Sequence, residues 1–227
     1  MAQYYTDFSE YTTGVTPSDW TQSGDTAESV IVVADVGATG GKIVQFPLLG
    51  GFSRCYLSWD DVGSVSDCEV LVRARLTIDN STSIFVAHVR HDTASERDGV
   101  AIEQRAGDVR LKEDFNAIAS TSDKWSSNEW FWARLRVTGS DFKARYWVSG
   151  TEPTTWDIEV TGTNTSSGYV GFGVDNTKEE FEIDVFGVGT GGDSAPSTAP
   201  ATGPNTPINL SVTDLLATSA RLTWEQG

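Results

Sequence analysis

Trp130-Phe131-Trp132-Ala133-Arg134-Leu135-Arg136-Val137, then Thr138-Gly139-Ser140-Asp141, then Phe142-Lys143-Ala144-Arg145-Tyr146-Trp147-Val148: two runs alternate apolar and polar residues on either side of a four-residue turn. A period of two is the period of a β-strand, whose side chains point to opposite faces in turn. Folded back at Gly139, the hairpin gathers Phe131, Ala133, Leu135 and Val137 against Phe142, Ala144, Tyr146 and Val148. That face belongs to a core. The other face carries Trp130, Trp132, Arg134, Arg136, Lys143, Arg145 and Trp147. Such regular alternation fixes the register, because a slip of one residue would turn every side chain over.

Outward from the hairpin the same pattern recurs, punctuated by Gly, Asn, Asp and Ser. It predicts strands over 29–34, 42–48, 54–59, 68–78, 83–91, 99–104, 109–113, 129–138, 142–149, 156–161, 168–174 and 180–189. No stretch shows a 3.6-residue apolar stripe. Many short strands at even spacing imply an all-β sandwich or barrel rather than a βαβ layout. The composition agrees: 8 Trp, 10 Phe, 6 Tyr and 22 Gly against a single Met suit pleated strands and tight turns.

The predicted domain spans residues 1–189. Residues 190–205 are Gly, Ser, Thr, Ala and Pro with little apolar content, which predicts a flexible linker. Residues 206–227 resume a strand pattern. Cys55 and Cys68 flank the turn-like Asp60-Asp61-Val62-Gly63-Ser64. If their strands pair as a hairpin, a disulfide is geometrically feasible; two buried thiols suit a cytosolic product equally well.

The formal charge is −16, from 16 Lys and Arg against 32 Asp and Glu. A uniformly acidic surface repels phosphate backbones and anionic membranes, so neither nucleic acid nor membrane insertion is expected. The start, Met1-Ala2-Gln3-Tyr4-Tyr5-Thr6-Asp7, has neither a basic segment nor an apolar one, and the apolar run Val30–Val36 is broken by Asp35. The expectation is a soluble product made in the cytosol.

Several segments carry a family likeness. Trp130 to Gly139, Phe142 to Trp147, Glu152-Pro153-Thr154-Thr155-Trp156 and Gly168-Tyr169-Val170-Gly171-Phe172-Gly173 resemble the second half of a concanavalin A-like (laminin G-like) jelly roll. Asp7 to Tyr11 and Ser18 to Thr21 fit its opening, and Phe181 to Val188 resembles the strand that returns beside the first. The likeness covers roughly residues 1–190 and implies two stacked antiparallel sheets. Thr206 to Trp224, with its Pro start, Leu-x-Val-Thr strand, Thr-Ser-Ala turn and Leu-x-Trp strand, resembles the first two strands of a fibronectin type III domain. A sandwich followed by a linker and a fibronectin-like start is similar to structural proteins of tailed-bacteriophage particles. That resemblance implies a non-enzymatic virion protein, made in the host cytoplasm: a capsid decoration, fibre or tail appendage. Its implied partners are other virion proteins, further copies of itself and host-surface glycans. The alternative is a carbohydrate-binding module of a secreted bacterial enzyme or adhesin; a degenerate glycosidase comes third.

Some jelly rolls cleave glucans with a Glu-x-Asp-x-x-Glu strand, and retaining hydrolysis needs two carboxyl groups about 5 Å apart. Glu182-Ile183-Asp184 supplies two positions, but Gly187 stands at the third, so no catalytic residue is assigned. His88 and His91 lie three apart, which on a regular strand sends them to opposite faces and argues against a shared metal. Asp175-Asn176 is one acidic pair, not a calcium site, and Gly37-Ala38-Thr39-Gly40-Gly41-Lys42 is a turn without the spacing of a phosphate loop. No cofactor or metal is expected. The leading ligand surface is the polar hairpin face: Trp130, Trp132 and Trp147 to stack on sugar rings, Arg134, Arg136, Lys143 and Arg145 to hold hydroxyls or acidic groups. The competing role for that face is internal, with Arg stems lying over Trp rings beneath a loop or the linker.

Overall fold

The structure is a computed structural model, and it describes residues 2–24, 29–46, 54–76, 83–92, 99–105, 107–114, 116–122, 126–175, 181–199, 211–213 and 221–223. In chain order the strands are β1 (Ala2–Thr6), β2 (Trp20–Ser23), β3 (Ile31–Ala34), β4 (Lys42–Phe46), β5 (Arg54–Trp59) and β6 (Cys68–Leu76). Next come β7 (Ser83–His91), β8 (Val100–Arg105), β9 (Asp108–Glu113), β10 (Asn116–Ser122), β11 (Trp130–Thr138) and β12 (Asp141–Trp147). The last are β13 (Ile158–Thr161), β14 (Tyr169–Asp175), β15 (Phe181–Thr190), β16 (Ser211–Thr213) and β17 (Arg221–Thr223). One 3-10 turn, Asp60–Val62, is described besides them. No helix among the described residues is long and apolar enough to cross a membrane.

The opening hairpin forms in the register its alternation dictates. β11 pairs antiparallel with β12 from Trp132↔Trp147 to Thr138↔Asp141, and the inward residues from Phe131 to Tyr146 are buried. Two antiparallel sheets stack on this pattern. One has the order β13-β12-β11-β6-β15-β4-β3, with β1 also on β15; the other runs β10-β9-β8-β7-β14-β5-β2. The central strand β15 pairs with β6 along one edge. Its other edge is shared, by β4 over Phe181–Ile183 and by β1 over Phe186–Thr190. The final strand therefore returns beside the first, as the family likeness implied. A register shift between Ile183 and Val185 resets the parity of β15. Phe181 and Ile183 before it, and Phe186 and Val188 after it, all join the core.

Between the sheets lies an aromatic interior. Trp20 and Trp59 stack at 5.1 Å, and Phe8, Phe46, Phe172 and Phe186 pack around them. Buried indoles need acceptors, and Asp19 organises the supply. Its Oδ2 accepts from Trp59 Nε1 at 3.0 Å and Tyr11 Oη at 2.9 Å, while Trp20 Nε1 donates to the Tyr11 hydroxyl at 3.2 Å.

Three expectations need correction. Cys55 lies in β5 and Cys68 in β6, which belong to different sheets; the chain crosses between sheets where a hairpin was expected. No disulfide joins the two buried thiols, and burial pushes the Cys68 thiol up to about 12. Second, the segment expected to be a flexible linker from residue 190 begins as structure. Thr190 ends β15, Ala195 is buried, and its N–H donates to Glu69 Oε1 at 3.1 Å. Third, β1, β2 and β10 lie outside the strands that the alternation predicts. β10 is an edge strand with no fully buried residue, so it lacks the alternation that betrays a strand. In the tail, β16 pairs with β17 antiparallel, and the rest of the fibronectin-like stretch falls outside the described residues.

Candidate functional site

Each arginine and lysine of the β11–β12 hairpin is engaged by the protein itself. Across β6 and β11 the outer face reads Glu69 opposite Arg136, Arg73 opposite Trp132 and Arg75 opposite Trp130. Arg134 donates through Nε to Glu152 Oε1 at 2.6 Å and through Nη1 to Glu69 and to the Ala195 carbonyl. Arg136 pairs with Glu69, and Arg145 with Glu152. Trp130 lies under the guanidinium groups of Arg73 and Arg75, at 4.7 and 4.4 Å, and Trp156 under that of Arg145 at 4.3 Å. Trp132 stacks on Trp147 at 6.0 Å, and both pack against Ala195 and Leu71. Lys143 pairs with Glu159 at 2.6 Å on the exposed rim. Segment 193–196 and the loop through Glu152 and Trp156 thus occupy the surface assigned to a ligand, for the ordinary reason that three buried or half-buried guanidinium groups need anions.

The incomplete glycosidase strand is committed in the same way. Glu182 Oε2 accepts from Arg75 Nε at 2.5 Å, and Asp184, wholly buried, pairs with Arg73 and accepts from Thr39 N and Oγ1 at 2.7 and 2.8 Å. Gly187 is where a third carboxylate would stand, but a Cβ there would lie 2.2 Å from the Pro196 carbonyl oxygen. The covering segment needs the glycine.

The other sheet has an outer face that sequence reasoning missed. His88 and His91 do not diverge: their ring centroids are 4.5 Å apart. β7 pairs with β14 as His91↔Tyr169 and His88↔Gly171, spending three residues where its partner spends two. Arg90, at φ 57°, takes up the extra residue. The bulge returns both imidazoles to one face. Beside them on that face sit Tyr56 and Ser58 of β5 and Glu103 of β8, and every one of these side chains is buried. Gly171 and Gly173 form the floor: a Cβ on the first would meet Leu57 O at 1.8 Å and His88 Nε2 at 2.9 Å, and one on the second would meet Tyr56 Cδ1 at 2.3 Å. Neither nitrogen of His88, nor Ser58 Oγ, nor Glu103 Oε2 has a hydrogen-bond partner among the described residues. Burial, and secondarily the neighbouring His91, holds His88 well below the usual imidazole range, so it is neutral at pH 7.

His91 also lines a polar cleft of about 480 Å³, together with Ser64, Asp92, Asp114, Asn164 and Tyr169. Its walls are held by hydrogen bonds. Asp114 Oδ1 accepts from Asn164 Nδ2 at 2.8 Å and from Gly99 N at 3.0 Å, and Glu113 accepts from the backbone N–H groups of Thr163 and Asn164. Arg90, with a fully buried guanidinium, ties the end of β7 to the Ser66 carbonyl at 2.6 Å, to the Asn164 carbonyl and to Asp67 at 3.3 Å. The result is a preformed, hydroxyl- and carboxylate-lined recess beside a half-buried Tyr169 ring. No group of three or more His, Cys, Asp or Glu that could hold a metal occurs among the described residues; the Asp175-Asn176 loop falls outside them. The Gly-x-Gly of β14 was the signal in the sequence, since glycines inside a strand mark a close approach.

No family model matches the chain, and no curated protein matches it by sequence. Solved structures do. A protein of unknown function from Shewanella oneidensis MR-1 superposes with a TM-score of 0.57 at 14% identity, covering 82% of this chain and 85% of that one. The carbohydrate-binding module CBM66 from Bacillus subtilis gives 0.52 at 15% identity, over 77% and 96% of the two chains. The exoplasmic/lumenal domain of VIP36, in its metal-free form, gives 0.53 at 9% identity, over 83% and 91%. With the strand order above, these likenesses establish the fold: the chain is a concanavalin A-like, lectin-type β-sandwich of two antiparallel sheets.

Proposed function

We propose that the chain is a non-enzymatic display protein whose sandwich binds glycans in the cleft between Tyr169, Asp114 and Asn164. The observation that carries the reading is the cleft itself: about 480 Å³, polar, and braced by hydrogen bonds among its own lining residues. Sugar hydroxyls both donate and accept, and this lining offers carboxylates, an amide and serine hydroxyls beside an aromatic ring. Support comes from the fold's company, since one neighbour is a carbohydrate-binding module and VIP36 has been solved with Ca2+ and Man3GlcNAc bound. The order of sandwich, Thr- and Pro-rich segment and fibronectin-like start supports a virion structural protein of a tailed phage, as decoration, fibre or tail appendage. A carbohydrate-binding module of a secreted bacterial enzyme or adhesin is the second reading, favoured by the match to 96% of the Bacillus module.

A glycan array probed with the full chain tests the first claim. Binding that falls at least tenfold in both Asp114→Ala and Tyr169→Ala, in variants that circular dichroism shows to be folded, supports it. Binding indifferent to both substitutions sinks the cleft as the site. Mass spectrometry of purified phage particles separates the two settings: the chain at high copy favours the virion.

A further inference from the structure

We propose that His88 and His91 form an acid-sensitive latch behind the cleft, holding the outer face of β7, β14 and β5 shut at neutral pH and loosening it on acidification. The consequence for binding rests on the glycan reading above; the loosening does not.

The geometry permits one charge state comfortably. The two imidazoles lie 4.5 Å apart between ring centroids, and both residues are buried. Tyr56 of β5 packs against each, at 6.0 and 5.3 Å, and Tyr169 of β14 pairs opposite His91. The nearby carboxylate on β8, Glu103, is held by Lys112 of β9 at 3.2 Å. On β7 itself Arg90 is already a buried cation, tied to Asp67 at 3.3 Å, and Asp92 follows at the exposed rim. A proton added to His88 therefore arrives without a hydrogen-bonding acceptor among the described residues and beside a second imidazole. A buried, unpaired charge is among the costliest things a fold can hold. The alternative is to swing the ring into water, which means parting β7 from the β14 glycines.

The sign follows from linkage. His88 is held below the ordinary imidazole range by burial first and by His91 second. The opened form thus binds more protons than the closed one, and closure is lost as pH falls below about 6.5. Because His91 lines the cleft and His88 backs it, the cleft wall goes with the latch.

Amide hydrogen exchange on the full chain between pH 7.5 and 5.0, corrected for intrinsic rates, reads the latch without any ligand. The expected result is at least a tenfold rise in opening for 88–91 and 169–173, with the β11–β12 hairpin unchanged. In His88→Phe the pH dependence should vanish. Should that variant fail to fold, the ring resonances of His88 in the unaltered protein decide: they stay neutral until the exchange rises. Invariant protection, or a His88 that titrates near 6.5 with the face still closed, overturns the proposal. A glycan captured at pH 7.5 on the array should be released at pH 5.0, and retained in His88→Phe. If the exchange behaves as expected but no glycan binds at any pH, the latch stands and the glycan reading falls.

Discussion

Arg134→Met tests whether the ion network under segment 193–196 holds the fold together. Methionine keeps the apolar stem and removes the guanidinium, so packing changes least. The side chain of Arg134 is 6% exposed and that of its partner Glu69 is 2% exposed. Removing the cation strands a buried carboxylate, deprives the Ala195 carbonyl of its donor at 2.9 Å, and leaves Glu152 to Arg145 alone. Breaking a buried pair from one side costs about 3–5 kcal/mol. Arg136, which also holds Glu69 but is 41% exposed, returns part of that, so the expectation is near the low end, about 3 kcal/mol. In a domain of this size that corresponds to roughly 6–12 °C in Tm. Urea unfolding followed by Trp fluorescence should show the loss as a lower midpoint at unchanged slope. Lys143→Ala is the control, because Lys143 and Glu159 are 35% and 54% exposed; surface pairs of this kind contribute less than about 1 kcal/mol. If Arg134→Met lands within about 0.5 kcal/mol of the unaltered protein, the network is ornamental and the outer face is free to serve another purpose. A double substitution with Glu69→Gln should cost less than the sum of the singles, since the second removes the charge that the first stranded.

Further outcomes can be stated briefly. Gly171→Ala puts a Cβ at 1.8 Å from Leu57 O, so β14 must part from β5; a loss of about 3 kcal/mol or failure to accumulate folded protein is expected by circular dichroism. Asp19→Ala removes the acceptor of Trp59 Nε1 and the Tyr11 hydroxyl, which should cost about 2–3 kcal/mol and shift Trp emission to the red on partial opening. Cys68, with its thiol raised to about 12 by burial, should resist iodoacetamide at pH 8 in the native protein and react at once in urea; equal rates in both would contradict its burial.

The core was legible in the sequence because period-two alternation is a local property, and Phe131, Leu135, Phe142 and Tyr146 needed no knowledge of distant residues to be placed inside. The outer faces were not, for two physical reasons. Arg134 looked available because its carboxylates come from elsewhere: Glu69 is 65 residues upstream on another strand, and Glu152 sits in a loop with no periodicity. A strand read alone shows its charges but not what meets them. The histidines failed differently. Their divergence follows from parity, and parity is broken by one residue, Arg90, whose left-handed φ has no local signature such as glycine or asparagine would give.

The two sheets answer the same difficulty in different ways. A sandwich buries its inner faces by stacking, but here both outer faces are also largely covered, so each must satisfy its polar residues without bulk water. On the β6–β11 side the buried carboxylates meet guanidinium groups, Glu69 with Arg134 and Arg136, Asp184 with Arg73, Glu182 with Arg75. On the β7–β14 side His88, Ser58 and Glu103 keep buried polar atoms that nothing described answers. Leaving such groups unpaired costs about 1–3 kcal/mol each. Replacing Ser58 by Ala tests that contrast: stability should be unchanged or raised in urea unfolding, because an unanswered hydroxyl is lost. Lower stability in Ser58→Ala would mean that the hydroxyl is already answered, and the contrast between the two faces would fail.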